Sequence, residues 1–223
     1  MSNKQSNVRL FDKLYLVKVI NELSNKKIDL ENYEEINVGE IDLGFPVPEV
    51  DIAFKGNDKI FIYEFLSMED PIQDLWRVLT CLDVLSCEYD MDVEANVITP
   101  PDFDEELKLE YSPGEFFKPG VINLGNINGD RLLREMCDKL ENENLTLEES
   151  IKMSIIPLMG SYNRLTSQIR GVLEIMDESN MDPVFKEQIL NINVFIMTKF
   201  VDKDSQLGII RVNGDDRSFL III

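Results

Sequence analysis

Residues 49–67, EVDIAFKGNDKIFIYEFLS, constrain the fold more than any other stretch. Two runs rich in β-branched and aromatic residues flank Gly56-Asn57-Asp58, a turn-forming triplet, and together they predict a β-hairpin. In a tight hairpin around Asn57, positions summing to about 114 or 115 face one another, which sets Glu64 opposite Val50 or Asp51. Alternate strand residues share a face, so Asp51 lies with Ala53 and Lys55, and Glu64 with Ile60, Ile62 and Leu66. Each apolar strand thus carries one carboxylate, and a carboxylate taken out of water needs a hydrogen-bond partner, a cation or a metal. Meeting at one end of the hairpin, the two acids can hold a hard dication, which cancels their repulsion and polarises a phosphoryl oxygen or a water. The alternative is that they sit at the strand ends in solvent.

The surrounding pattern alternates helix and strand. Residues 8–24 are an amphipathic helix, with Leu10, Leu14, Val17 and Leu16 or Ile20 near helical spacing. A short strand-like piece follows around 36–43, before two prolines. Residues 70–89 predict a second helix, with Asp70 as N-cap and Pro71 at the first helical position. Residues 93–99 and the VINLGN stretch at 121–126 predict strands, separated by an acidic loop. From about 130 the pattern is helical over 130–142, 147–158, 161–179 and 182–202, and residues 207–223 predict a terminal hairpin. The expected architecture is α/β, with a mixed central sheet flanked by helices. The domain division is a core over 1–128 and a helical region over 129–223.

Composition excludes several chemistries. Histidine is absent, which removes Ser-His-Asp and Cys-His nucleophile systems, HExxH zinc sites and histidine bases in one step. Metal chemistry then falls to oxygen ligands, favouring Mg²⁺, Mn²⁺ or Ca²⁺. Cys81, Cys87 and Cys137 are odd in number and form no CxxC pair, so neither a disulfide framework nor a thiolate zinc site is expected. No run of about 18 apolar residues predicts a membrane span, and the first residues lack the apolar block of a secretory signal; both predict an intracellular, cytoplasmic protein. The net charge of −20 is uneven: +4 over 1–27, −23 over 28–150 and −1 over 151–223. A field this negative opposes binding to nucleic acid unless a local basic patch, available only on the first helix, overrides it.

An Asp at the start of one strand and an acid near the end of the next, after an amphipathic helix and before a helix and a further strand, resembles the PD-(D/E)XK nuclease superfamily. Within it the chain is most similar to the transposase-like and recombination-promoting nuclease branch, and IIPLMGSYNRL at 155–165 with the helices after it also resembles that branch. The resemblance spans roughly residues 8–205 and rests on element order. It implies a restriction-endonuclease-like core, metal-binding acids at Asp51 and Glu64, Mg²⁺ or Mn²⁺ as cofactor, and hydrolysis of DNA phosphodiesters. The third family position, usually a Lys that orients water and stabilises charge at the phosphate, is Leu66 here.

Three replacements for that cation are available in the sequence. Lys59 is on the same strand but on the opposite face from Glu64; Gln73 and Arg77, spaced i, i+4 on the second helix, could reach the site from above; Lys13 or Lys18 on the first helix is the third choice, with Glu22 as an additional metal ligand. A catalytically inactive relative that keeps the fold as a binding or assembly module, with a homo-oligomer formed through the helical C-terminal region, is the alternative. An acidic surface that mimics DNA or captures a basic partner has only the charge behind it.

Overall fold

The architecture follows from a computed structural model of the chain that describes residues 13–26, 28, 32–41, 47–67, 69–142 and 145–202. The expected hairpin forms from β2 (Ile52–Lys55) and β3 (Lys59–Phe65), paired antiparallel with Ile52 opposite Tyr63 and Lys55 opposite Ile60. The position sum is therefore 115, the register that puts Asp51 beside Glu64. Helix α2 (Pro71–Tyr89) begins where the sequence places it: the Asp70 carboxylate accepts from the Gln73 N–H at 3.0 Å, and Pro71 fills the first turn. It stops at Asp90, whose left-handed backbone (φ 51°) closes the last turn.

Helix α2 returns the chain to β4 (Asp92–Thr99), which lies parallel to β3, and β7 (Gly120–Asn123) adds parallel to β4. With β1 (Glu34–Glu35) antiparallel on β2, the sheet order is β1-β2-β3-β4-β7. This is an α/β architecture with a mixed five-stranded sheet. The strand-like stretch around 36–43 differs from expectation: its described part is a 3₁₀ turn over Val38–Glu40, and 42–46 lie outside the described residues. The loop after β4 contains a two-stranded ribbon, β5 (Leu109–Ser112) and β6 (Glu115–Phe117), turned at Gly114 with φ 80°. The Pro113-Gly114 dipeptide is the local signal for it.

Two layers cover the sheet. On one face Ala53, Ile60 and Ile62 pack against Val78, Cys81 and Leu85 of α2. On the other, Ile52, Phe54 and Phe65 share a core with α1 (Lys13–Leu23) and with the later helices: α3 (Gly129–Asn142), α4 (Leu147–Ser154), α5 (Leu165–Glu178) and α6 (Pro183–Phe200). The Phe65 ring meets Phe195 edge-on at 4.8 Å and Phe200 at 6.2 Å, so segments on either side of residue 128 share one core. Residues 8–12 of the expected first helix and the hairpin expected over 207–223 lie outside the described residues. Among the described residues no helix is long and apolar enough to cross a membrane.

Candidate functional site

Asp51 and Glu64 meet at one end of the hairpin through reciprocal bonds. The Asp51 N–H donates to Glu64 Oε2 at 2.9 Å, and the Phe65 N–H donates to Asp51 Oδ2 at 2.9 Å. Glu64 is fully buried, while the Asp51 side chain keeps 13% of its surface exposed. Two buried like charges this close require counter-ions. Both come from outside the hairpin.

Arg77 reaches down from the second turn of α2 and ion-pairs through Nη2 with Glu64 Oε1, while the same nitrogen donates to Asp74 Oδ1 at 2.7 Å. Asp74 is itself buried, and its Oδ2 accepts from the Ser67 N–H at 2.6 Å. From the opposite layer, Lys199 in the last turn of α6 sets its Nζ 2.7 Å from Asp51 Oδ1 and 3.4 Å from Glu64 Oε1. The pair lies where β2 begins and β3 ends, so cations from both layers reach it past the strand ends.

Burial, with the Asp51 charge second, pushes the Glu64 carboxyl up to about 7 against the pull of Lys199 and Arg77. Burial draws both cations down, but the acids outweigh it: Asp51 then Glu64 raise Lys199, and Glu64 then Asp74 raise Arg77. Both cations therefore stay charged at neutral pH, and the balance of the site is carried by Glu64.

The other candidate residues go elsewhere. Gln73 is exposed on α2, with its backbone in the Asp70 cap. Glu22 pairs with Lys152 at 3.1 Å, Lys59 pairs with Glu94 at 3.3 Å, and Lys18 sits over the Tyr15 ring at 5.7 Å. Lys13 pairs with Glu35 at 2.7 Å and lines, with Glu49 and Asp51, a cleft of about 460 Å³ that opens on the Asp51 side of the pair. Leu66 is buried among Leu75 and Val97, a packing residue.

Sequence reasoning missed Lys199. It lies 135 positions from Glu64, a separation that no local pattern spans. Its one signal is phase: a lysine between Ile196 and Phe200, both buried, just after the apolar run Val194–Met197 of α6.

As a metal site the pair offers two hard oxygen ligands, which suits Mg²⁺ or Mn²⁺ that keep most of their waters. Among the described residues no cluster of three or more Asp, Glu, Cys or His side chains is placed to hold a metal ion. All four oxygens of Asp51 and Glu64 already have a partner, two from backbone and two from side-chain cations, so a metal here shares the pair with two cations or displaces one. Comparisons with protein-family models, with curated proteins and with solved structures gave no match.

Proposed function

We propose that the chain is a nuclease-fold protein of the PD-(D/E)XK type that hydrolyses DNA phosphodiesters slowly with Mg²⁺ or Mn²⁺, Lys199 supplying the cation that position 66 lacks. One observation carries this reading: an ammonium within hydrogen-bond reach of both carboxylates, 2.7 Å from Asp51 and 3.4 Å from Glu64. Asp51 and Glu64 would hold the metal, which when bound supplies Lewis-acid polarisation of the phosphoryl oxygen and a more acidic water. Arg77, braced by Asp74, fixes the orientation of Glu64. Lys199 neutralises charge that accumulates on the phosphate as the attacking oxygen arrives. The net charge of −20 slows the approach of a polyanion, so the expected rate is low and depends on salt.

The test is a plasmid-nicking assay with Mn²⁺ on the wild type, Asp51→Ala and Glu64→Ala, with melting curves to show that each is folded. The expected result is slow nicking by the wild type and none by either variant. Wild-type protein that does not nick, or nicking that survives both substitutions, overturns the reading. A second reading, an inactive fold kept as a binding or assembly module, is favoured by the complete hydrogen bonding of the four carboxylate oxygens, which leaves the pair satisfied without a metal.

A further inference from the structure

The donors that satisfy the carboxylate pair are unequally anchored. Two are backbone N–H groups, of Asp51 and Phe65, fixed where the strands pair. Arg77 is clamped from behind, because Asp74 holds its guanidinium at 2.7 Å and is itself tied to the Ser67 N–H. Among the described residues Lys199 ion-pairs with no acid outside the pair. Its described partners are Asp51, Glu64 and the Phe195 ring, whose centroid lies 5.7 Å from Nζ. The backbone around it is held, since Phe200 is buried and its carbonyl accepts from the Tyr162 hydroxyl at 2.8 Å. What can yield is the four-carbon stem and not the helix.

We infer that Lys199 is an internal competitor for the divalent cation at Asp51 and Glu64: binding of the cation expels the lysine ammonium from the pair while α6 stays in place, and loss of the cation lets it return. This rests on the reading that the pair takes a dication, and it adds how occupancy is regulated. Asp51, Glu64 and Asp74 face Arg77 and Lys199, three acids against two cations, so a dication that arrives with Lys199 in place turns the half-buried cluster net positive. Lys199 is the group that leaves, because Arg77 is braced and the backbone donors are immobile. The free-cation level at which the site fills is then set by one side chain on a helix remote in sequence. Once expelled, the ammonium stays tethered beside the pair, within reach of an anionic ligand.

The test is Mn²⁺ binding by calorimetry, without nucleic acid, to the wild type, Lys199→Met and Lys199→Arg. Methionine keeps the length and apolar contacts of the stem without the charge. It should bind Mn²⁺ roughly tenfold or more tightly, the scale of removing one nearby unit charge from a partly buried site. Arginine, a planar fork that grips carboxylates more firmly, should bind Mn²⁺ more weakly than wild type. In parallel, the Lys199 Cε resonance of the wild type should shift as diamagnetic Mg²⁺ is added, with the same saturation curve as binding.

Equal affinity across the three proteins overturns the inference, as does an unmoved Lys199 resonance at Mg²⁺ saturation, or absence of Mn²⁺ binding to both the wild type and Lys199→Met. The two failures are distinguishable. Failure of the nuclease reading appears as missing or Asp51-independent nicking, whereas failure of this inference appears as affinity indifferent to residue 199. Should Lys199→Met fail to fold, Lys199→Arg and the wild-type resonance still decide the matter.

Discussion

Glu64 has no exposed surface and accepts from Arg77, Lys199 and the Asp51 N–H, which offset only part of what burial and the Asp51 charge cost its carboxylate. Removing one partner from such a cluster leaves the others buried and uncompensated. Arg77→Ala should cost on the order of 2–4 kcal/mol in urea denaturation, discounted because the guanidinium is partly exposed. Gln73→Ala, one turn earlier on the exposed side of α2, should stay within about 0.5 kcal/mol. Equal losses in the two variants would show that the cluster contributes nothing beyond ordinary surface packing. Of the two α2 side chains that the sequence offered, only Arg77 meets Asp74 and Glu64, while Gln73 is exposed. The i, i+4 spacing sets both on one face and could not choose between them, because the choice depends on which turn of α2 lies level with the pair, a tertiary fact.

At the level of elements, α4 shows how much a terminus contributes. Thr146 and Glu149 form a reciprocal capping box: the Thr146 hydroxyl accepts from the Glu149 N–H at 3.3 Å, and the Glu149 carboxylate accepts from the Thr146 N–H at 2.9 Å. Thr146→Ala should lower stability by about 1 kcal/mol in urea denaturation. Glu149 is held down at about 2 by Lys139 first and by the Thr146 N–H next. A carboxylate depressed in the folded state stabilises above its unfolded value and loses that contribution as pH falls toward the folded one. Melting temperatures should therefore drop more steeply for wild type than for Glu149→Gln as pH is lowered from about 4.5 toward 2, and parallel curves would remove Glu149 from the acid limb.

The hairpin and α2 were legible in the sequence because their determinants are local: a turn triplet fixes register, and Asp70-Pro71 fixes a start. The β5–β6 ribbon was not, since its strands run only four and three residues and the adjacent Phe116 and Phe117 interrupt the alternation that marks a strand, so only the turn dipeptide remains as a cue. At the carboxylate pair, local pattern found Asp51, Glu64 and Arg77, whereas Lys199 required knowledge of which face α6 lays on the sheet.

Across the whole molecule, the core that joins Ile52, Phe54 and Phe65 to Ile192, Ile196 and Phe200 spans both segments, and residues 1–128 alone keep only the smaller apolar layers between α2 and the sheet. A fragment covering 1–128 should lose cooperative unfolding, while the full chain should melt in one transition seen alike by circular dichroism and by its single tryptophan, Trp76. A cooperative fragment would mean that α2 and the sheet suffice. The span of 135 residues between Glu64 and Lys199 also has a meaning in time. At the ordinary pace of translation, the ribosome takes roughly 7 to 27 s to pass from one to the other. Through that interval the nascent hairpin displays its two acids without their lysine, and only the late arrival of α6 completes the charge balance that the mature protein carries.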